Sequence, residues 1–330
     1  STYSAQSSGN LHLADIAADM SDNLYVSTWR QSPWNQQTTT SNYSDSLYQS
    51  ISTHQLIKIN NKGQIEWNFN YGTTGVEYSG ENNPIATDGE SNIIIAGDLF
   101  NRSMLGTDTL EISRGMMFVA KLNPNGELLW YKLLNPSYWA NRFTNIAIDR
   151  GDNIYLSFEY DDFNFQGITS SLSSNADPTN GLMKLDKEGN EVWLINIPLE
   201  RLNSVQNITD IRLDRDTKSL YVLATQSGYN YWSSCKYNED YNTVFKFDLA
   251  GNLTWSKEFS SDDVLYGASL SETKFGDLEV NGFVRGSLNA DSYFYNTAQI
   301  EGCQELEPYA LWLDPKNGNV TSLRTGFMTM

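Results

Sequence analysis

The chain has 330 residues, with 40 Asp and Glu against 22 Lys and Arg and a formal net charge of −18. A nucleic-acid binder shows a basic face, so that class is set aside; the acidity reads either as solubility in a salty extracellular setting or as cation binding, calcium being the ion to consider. Hydrophobic residues at 39% and aromatics at 13% suffice for a core, and no apolar run of 18 residues offers a membrane span.

In chain order, the opening STYSAQSSG is polar and reads as a start from which a targeting segment was cleaved or never present. A first pair of apolar runs, IAADMSDNLYVS from Ile16, is followed by a long polar and aromatic stretch. A second pair, LIKINNKGQIEWNFN from Leu56, follows. The same order returns as IATDGESNIIIAG from Ile85 with FVAKLNPNGELLWYKLL from Phe118, and as IAIDRGDNIYLS from Ile146 with GLMKLDKEGNEVWLINI from Gly181. It returns again as IRLDRDTKSLYVLA from Ile211 with VFKFDLAGNLTWSKEF from Val244. A weaker fifth copy pairs LSETKFGDLEV from Leu270 with ALWLDPKNGNVTSLRTG from Ala310.

The copies are locked in register by Lys58, Lys121, Lys184 and Lys246, at intervals of 63, 63 and 62 residues. A tryptophan follows each nine residues later: Trp67, Trp130, Trp193 and Trp255. In the fifth copy Trp312 stands at the lysine position and Ser322 near the tryptophan position. Fixed periods of this size mark a repeat architecture. Runs of five to seven apolar or alternating residues around polar turns ending in Gly63, Gly126, Gly189, Gly251 and Gly318 are strand and hairpin signals.

Each repeat therefore reads as four antiparallel strands, a to d, and the fold class as all-β. Sheets this small bury their faces by radial stacking. The expectation is a single five-bladed β-propeller over residues 1–330, with four strands per blade and blades near 11–72, 76–135, 139–198, 204–260 and 264–327. Residues equivalent in every repeat are expected to be framework. The tryptophan should wedge between blades, the lysine snorkel along the outer strands, and Asp19, Asp88, Asp149 and Asp214 bond turn amides.

The a–b and c–d turns are short and uniform, whereas the b–c connections are long and unlike one another, which is where recognition usually sits. They place aromatics among amides, hydroxyls and acids: Trp29, Trp34 and Tyr43 in repeat 1; Tyr160, Asp161 and Asp162 in repeat 3; Tyr229, Tyr231 and Trp232 in repeat 4; Tyr295 in repeat 5. Ring faces against C–H bonds with polar groups on hydroxyls suit a glycan. The same residues suit a peptide or protein surface, or fold the loops down as satellite cores. Cys235 and Cys303 lie in the b–c loops of adjacent repeats, so a disulfide between them is expected, against the alternative of two unpaired thiols. Arg150-Gly151-Asp152 spells an adhesive tripeptide but falls in an a–b turn and is accounted for by turn chemistry.

For catalysis the sequence offers little. Two histidines and no CxxC argue against zinc, and no nucleophile elbow, phosphate loop or dinucleotide fingerprint is present. A triad would have to use His12 or His54. A glycosidase needs converging carboxylates; the acids that break the repeat, Glu77, Glu81, Asp161, Asp162 and Asp210, are the candidates.

The pattern I-A-x-D…N-I-Y-x-x-G…F-V-A-K-L-x-x-x-G-x-x-x-W, clearest over residues 85–130, resembles the bacterial SBBP-type β-propeller repeat, and the resemblance covers nearly the whole chain. It implies an extracellular or cell-surface bacterial protein, often part of a larger adhesin or surface-sorted polypeptide, with no catalytic residue to carry over. The sequence expectation is thus a non-enzymatic module with no cofactor. It would bind a glycan or surface protein through the b–c loops, alone or within a larger polypeptide or complex. A glycoside hydrolase with carboxylates in a central pocket, and a structural surface module, are the alternatives.

Overall fold

The structure is a computed structural model and describes residues 11–31, 52–73, 83–99, 102–112, 115–137, 142–160, 164–173, 179–198, 204–216, 218–228, 240–297 and 306–326. All of its regular elements are β-strands, and the described residues contain no helix. Repeat 1 supplies β1 (Leu11–Ala18), β2 (Leu24–Gln31), β3 (Ser52–Ile59) and β4 (Ile65–Thr73). Repeat 2 supplies β5 (Ile85–Thr87), β6 (Ile93–Leu99), the hairpin β7 (Arg102–Leu105) and β8 (Asp108–Glu111), then β9 (Gly115–Leu122) and β10 (Leu128–Ser137). Repeat 3 gives β11 (Arg142–Ile148), β12 (Ile154–Tyr160), the hairpin β13 (Asn164–Gln166) and β14 (Ser171–Ser173), β15 (Thr179–Leu185) and β16 (Glu191–Asn196). Repeat 4 gives β17 (Ser204–Leu213), β18 (Ser219–Gly228), β19 (Asp240–Asp248) and β20 (Leu253–Ser261). Repeat 5 gives β21 (Val264–Glu272), β22 (Leu278–Arg285), the hairpin β23 (Ser287–Ala290) and β24 (Tyr293–Asn296), β25 (Glu307–Leu313) and β26 (Val320–Thr325).

Within each repeat the four main strands pair antiparallel in chain order. By contacts the chain divides into two compact units: Ser1–Ile154 with Phe165–Ser171 and Leu185–Glu191, and Tyr155–Asn164 with Leu172–Lys184 and Val192–Met330. In the first unit, one face of sheet 1 (Tyr25, Leu56, Phe69, Tyr71) packs on the opposite face of sheet 2 (Ile85, Ile93, Ile95, Phe118, Ala120, Leu122). In the second unit, Tyr221, Leu223, Val244 and Phe259 of sheet 4 pack in the same way on Leu278, Val280, Leu311 and Leu313 of sheet 5.

The nine-residue spacing follows from hairpin register. Lys58 stands directly opposite Trp67, Lys121 opposite Trp130, and Lys246 opposite Trp255. The lysine amine and the indole N–H then reach one carbonyl in the c–d turn of the next sheet. Pro124 O accepts both Lys58 Nζ and Trp67 Nε1 at 3.0 Å. Leu249 O accepts Lys184 Nζ at 3.1 Å and Trp193 Nε1 at 3.0 Å; Pro315 O accepts Lys246 Nζ at 2.7 Å and Trp255 Nε1 at 3.2 Å. The indole lies on the turn glycine, so a Cβ at Gly126 or Gly189 would come within 2.9 Å of the ring. The lysine expectation is corrected here: Lys58, Lys121 and Lys184 are buried between sheets, not extended along outer strands. Burial of an ammonium requires compensation, which the carbonyl supplies together with a ring or carboxylate. Lys58, Lys184 and Lys246 lie over Tyr25, Tyr155 and Tyr221, whereas Lys121 pairs with Asp88 at 2.8 Å.

The turns share one device. Asp19, Asp88 and Asp149 each accept with Oδ1 from the backbone N–H groups two and four residues on. Asn60, Asn123, Asp186 and Asp248 do the same in the c–d turns. In the Arg150-Gly151-Asp152 turn, Asp152 sits at φ 61 and accepts from Gly89 N at 2.8 Å, a framework role.

The described parts of the b–c connections are framework too. Hairpin β7–β8 pairs with β4, and hairpin β23–β24 pairs with β20, so each extends the d-strand edge of the preceding repeat's sheet to six strands. In repeat 3, Glu191 on β16 accepts from Ile168 N at 2.7 Å and Thr169 N at 3.1 Å, pinning the β13–β14 tip. His54 is one of several buried polar side chains. It is buried, stacks on Tyr71, and neither ring nitrogen has a hydrogen-bond partner. Burial lowers its pKa to about 4, so the ring is neutral at pH 7.

Two outcomes follow for stability. Gly126→Ala should cost more than Gly63→Ala in thermal denaturation. Both pay for a left-handed φ, about 1 kcal/mol or more, but only Gly126 has an indole against it. His54→Phe should raise stability at pH 7 by about 1–2 kcal/mol, because it removes two unsatisfied buried nitrogens. It should also remove the acid-side loss of stability that wild type shows as pH falls from 6.5 through about 4.

Candidate functional site

The first strands β1 and β17 each carry a bulge, between Leu13 and Asp15 and between Ile208 and Asp210. A bulge re-aims one side chain, and here the residue after it is an acid in both cases. The corresponding positions of the other repeats hold Pro84, Asn145 and Ser269, so the two carboxylates break the repeat. Each reaches the first strand of the following sheet: Asp15 Oδ2 accepts from Ile85 N at 2.9 Å, and Asp210 Oδ2 accepts from Leu270 N at 2.7 Å.

Both side chains are half-buried. Burial raises the carboxyl pKa of each, and the accepted backbone bonds, with Arg212 beside Asp210, only partly oppose that. They contrast with the turn acids. Burial pushes Asp88 up as well, but Lys121 and Asn92 hold it below the usual carboxylate range, and bonds from Asn92 and Lys121 are what Asp15 and Asp210 lack. A carboxyl of raised pKa is the state a general acid needs.

Further along the β17–β21 seam the polar chain continues. Arg212 Nη1 donates to Leu270 O at 3.4 Å, Arg215 N to Glu272 Oε2 at 2.9 Å, and Arg215 Nη2 to Thr273 O at 2.9 Å. It ends at a cleft of about 400 Å³ lined by Asp214, Arg215, Lys246, Glu272, Lys274 and Phe275, among others. Phe275 is 82% exposed, and Lys246 is half-buried where the other three repeat lysines are buried. Burial lowers the Lys246 pKa, and Asp214 and Asp314 work against that shift.

Of the ligand-binding candidates singled out from sequence, Trp29, Tyr160 and Tyr295 are described, and each is engaged within the fold. Trp29 stacks on His12 at 4.1 Å with 11° between the ring planes. Tyr160 is buried and donates to Asn196 Oδ1 at 2.6 Å; Tyr295 donates to Glu307 Oε2 at 2.6 Å and packs against the second core. Trp34, Tyr43, Asp161, Asp162, Tyr229, Tyr231, Trp232, Cys235 and Cys303 lie outside the described residues, as do Glu77 and Glu81. Sequence reading named Asp210 but missed Asp15, which the alignment of repeats would have found at the same register. Among the described residues, no group of three or more His, Cys, Asp or Glu side chains is placed to hold a metal ion.

No family model and no curated protein matches the chain. Among solved structures, a mannose phosphorylase from Leishmania mexicana matches at 8% identity and TM-score 0.39, covering 83% of this chain and 80% of that one. A levansucrase mutant from B. megaterium matches at 10% and 0.40, covering 96% and 86%. A periplasmic gluconolactonase from Pseudomonas aeruginosa matches at 9% and 0.36, covering 94% and 87%. At such scores neither substrate nor mechanism transfers. These three matches are enzymes, while a protein of unknown function from Dyadobacter fermentans matches at 9% and 0.46, covering 96% and 94%; the expectation of a non-enzymatic module recognising a glycan or peptide through its b–c loops is corrected on the chain's own geometry. The inward engagement of Tyr160 and Tyr295 and the zipped hairpins β7–β8 and β23–β24 are the physical reasons on the side of the chain itself.

Proposed function

We propose that the chain is a glycoside hydrolase whose repeats form the blades of a β-propeller. Asp210 is its proton-donating acid, and the β17–β21 seam is its site. The observation that carries this reading is the half-buried Asp210 carboxyl, raised in pKa at a position that breaks the repeat. Protonation of a glycosidic oxygen needs such an acid, and the second carboxylate that the chemistry requires would come from Asp214 or Glu272, which line the cleft at the end of the same seam. Phe275 supplies an exposed ring face for a sugar, and Lys246, Lys274 and Arg215 supply donors for its hydroxyls.

The test is hydrolysis of a panel of α- and β-linked aryl glycosides and oligosaccharides. Asp210→Asn should lower kcat/KM by about 10²-fold or more with little change in melting, since the amide oxygen can still accept from Leu270 N. No turnover of any glycoside by the wild type, or full activity in the variant, removes the reading. The pH dependence has a definite sign. With its folded pKa raised, Asp210 contributes stability that is present below about 3.9 and lost as pH rises through the folded value. Asp210→Asn should therefore be at least as stable as wild type at pH 7 in urea unfolding, and relatively less stable at pH 3.5.

A further inference from the structure

The cleft at the end of the β17–β21 seam reverses the charge balance of the chain. Acids outnumber bases 40 to 22 overall, yet four bases, Arg215, Lys246, Lys274 and Lys316, line the cleft with three acids, Asp214, Asp216 and Glu272. All seven residues belong to the second compact unit. A cleft of about 570 Å³ within the first unit is lined instead by Asp108 and Glu127, with no lysine or arginine.

Two of the three acids are engaged by other cations. Glu272 accepts from Arg215 N at 2.9 Å and lies 3.8 Å from Arg215 Nε, and Asp216 pairs with Lys218 at 3.4 Å. The ammonium groups of Lys246, Lys274 and Lys316 have no carboxylate partner among the described residues. Lys121, at the register of Lys246 in repeat 2, has one in Asp88 at 2.8 Å. Lys246 spends one of its three N–H donors on Pro315 O at 2.7 Å. Lys274 Nζ lies 4.9 Å from the centroid of the largely exposed Phe275 ring, so charge and apolar surface stand side by side. Against these three cations stand Asp214, whose Oδ1 accepts from Lys218 N at 2.6 Å, and the neighbouring Asp314. The cleft thus keeps an excess of positive charge, with donors to spare.

A bare anion would use the ammonium groups and leave the Phe275 ring idle. A neutral sugar would use the ring and leave the charges unpaired. A sugar ring that carries a carboxylate uses both. We infer that the cleft takes uronic-acid residues of an acidic glycan. The C–H face of the uronate packs on Phe275, and its carboxylate accepts from the ammonium groups of Lys246, Lys274 and Lys316. Such a glycan is the substrate class of the hydrolase proposed above, and its role as substrate rests on that reading.

Titration calorimetry on the full chain carrying Asp210→Asn measures binding apart from turnover. The probes are galacturonate and glucuronate trimers, each beside its carboxyl-reduced counterpart, which keeps the linkage and loses the charge. At low salt at least one uronate trimer should bind about tenfold or more tighter than its reduced counterpart, and added salt should shrink that preference. Lys274→Gln together with Lys316→Gln, both at exposed positions, should abolish the preference and leave melting unchanged. Equal affinity for charged and reduced trimers overturns the inference. So does binding of neither uronate, a preference that survives the double substitution, or inorganic phosphate binding as tightly as the uronates. The hydrolase is judged separately. Uronate binding by a wild type that turns over no glycoside keeps the inference and removes the hydrolase. Turnover of neutral glycosides with no preference for uronates keeps the hydrolase and removes the inference.

Discussion

Three of the joints between sheets centre on one carbonyl oxygen with two lone pairs and two donors aimed at it. A lysine and a tryptophan that face each other across a hairpin deliver an ammonium and an indole N–H to the same acceptor on the next sheet. The indole ring then needs room, and only a turn residue without a Cβ leaves it. The left-handed φ of the tight turn asks for glycine at the same place, so backbone geometry and side-chain packing select one residue together. The apolar faces behind the joint supply most of the burial, while the joint fixes how far one sheet slides over the next.

Placing an ammonium between sheets is unusual in a chain of net charge −18, where surface carboxylates could have held it in water. The protein compensates it locally instead. A tyrosine on strand b supplies a ring face in three repeats, and where isoleucine replaces that tyrosine at Ile94, Asp88 supplies a full negative charge. Around Lys246 the compensation is thinner: Asp214 spends Oδ1 on Lys218 N, and a cleft opens beside the amine. The least buried of the four repeat lysines is therefore the one next to solvent-accessible charged groups.

The all-β class and the strand pairing within each repeat were legible in the sequence because local rules and the repeat agree, whereas the six-stranded sheets were not. Hairpin glycines, alternating strands and the lysine–tryptophan register all report the same pairing, and the strands fall where that pairing puts them. The candidate site was legible only in part. Asp210 stood out as an acid at a position where its equivalents are not all acids. Its raised pKa, however, arises from burial against a strand 60 residues away, which no local pattern records. The roles of Tyr160 and Tyr295 were misread for a related reason. An aromatic flanked by polar residues has the same composition whether it faces solvent or donates to Asn196 or Glu307 inside the fold. The buried lysines were misread because an aliphatic stem with a charged tip suits a surface equally well until the partner carbonyl is seen.

The hairpins β7–β8 and β23–β24 separate the unit of sequence from the unit of structure. Each is encoded within one repeat yet completes the outer edge of the sheet before it. An unpaired outer edge invites pairing with foreign strands, so a chain divided neatly between repeats 1 and 2, or 4 and 5, would leave β4 or β20 bare. A cut inside the b–c connection, after the hairpin, would carry the cap along but part β6 from β9 or β22 from β25, so each hairpin ties its own repeat to the sheet it guards and neighbouring repeats can be exchanged only together.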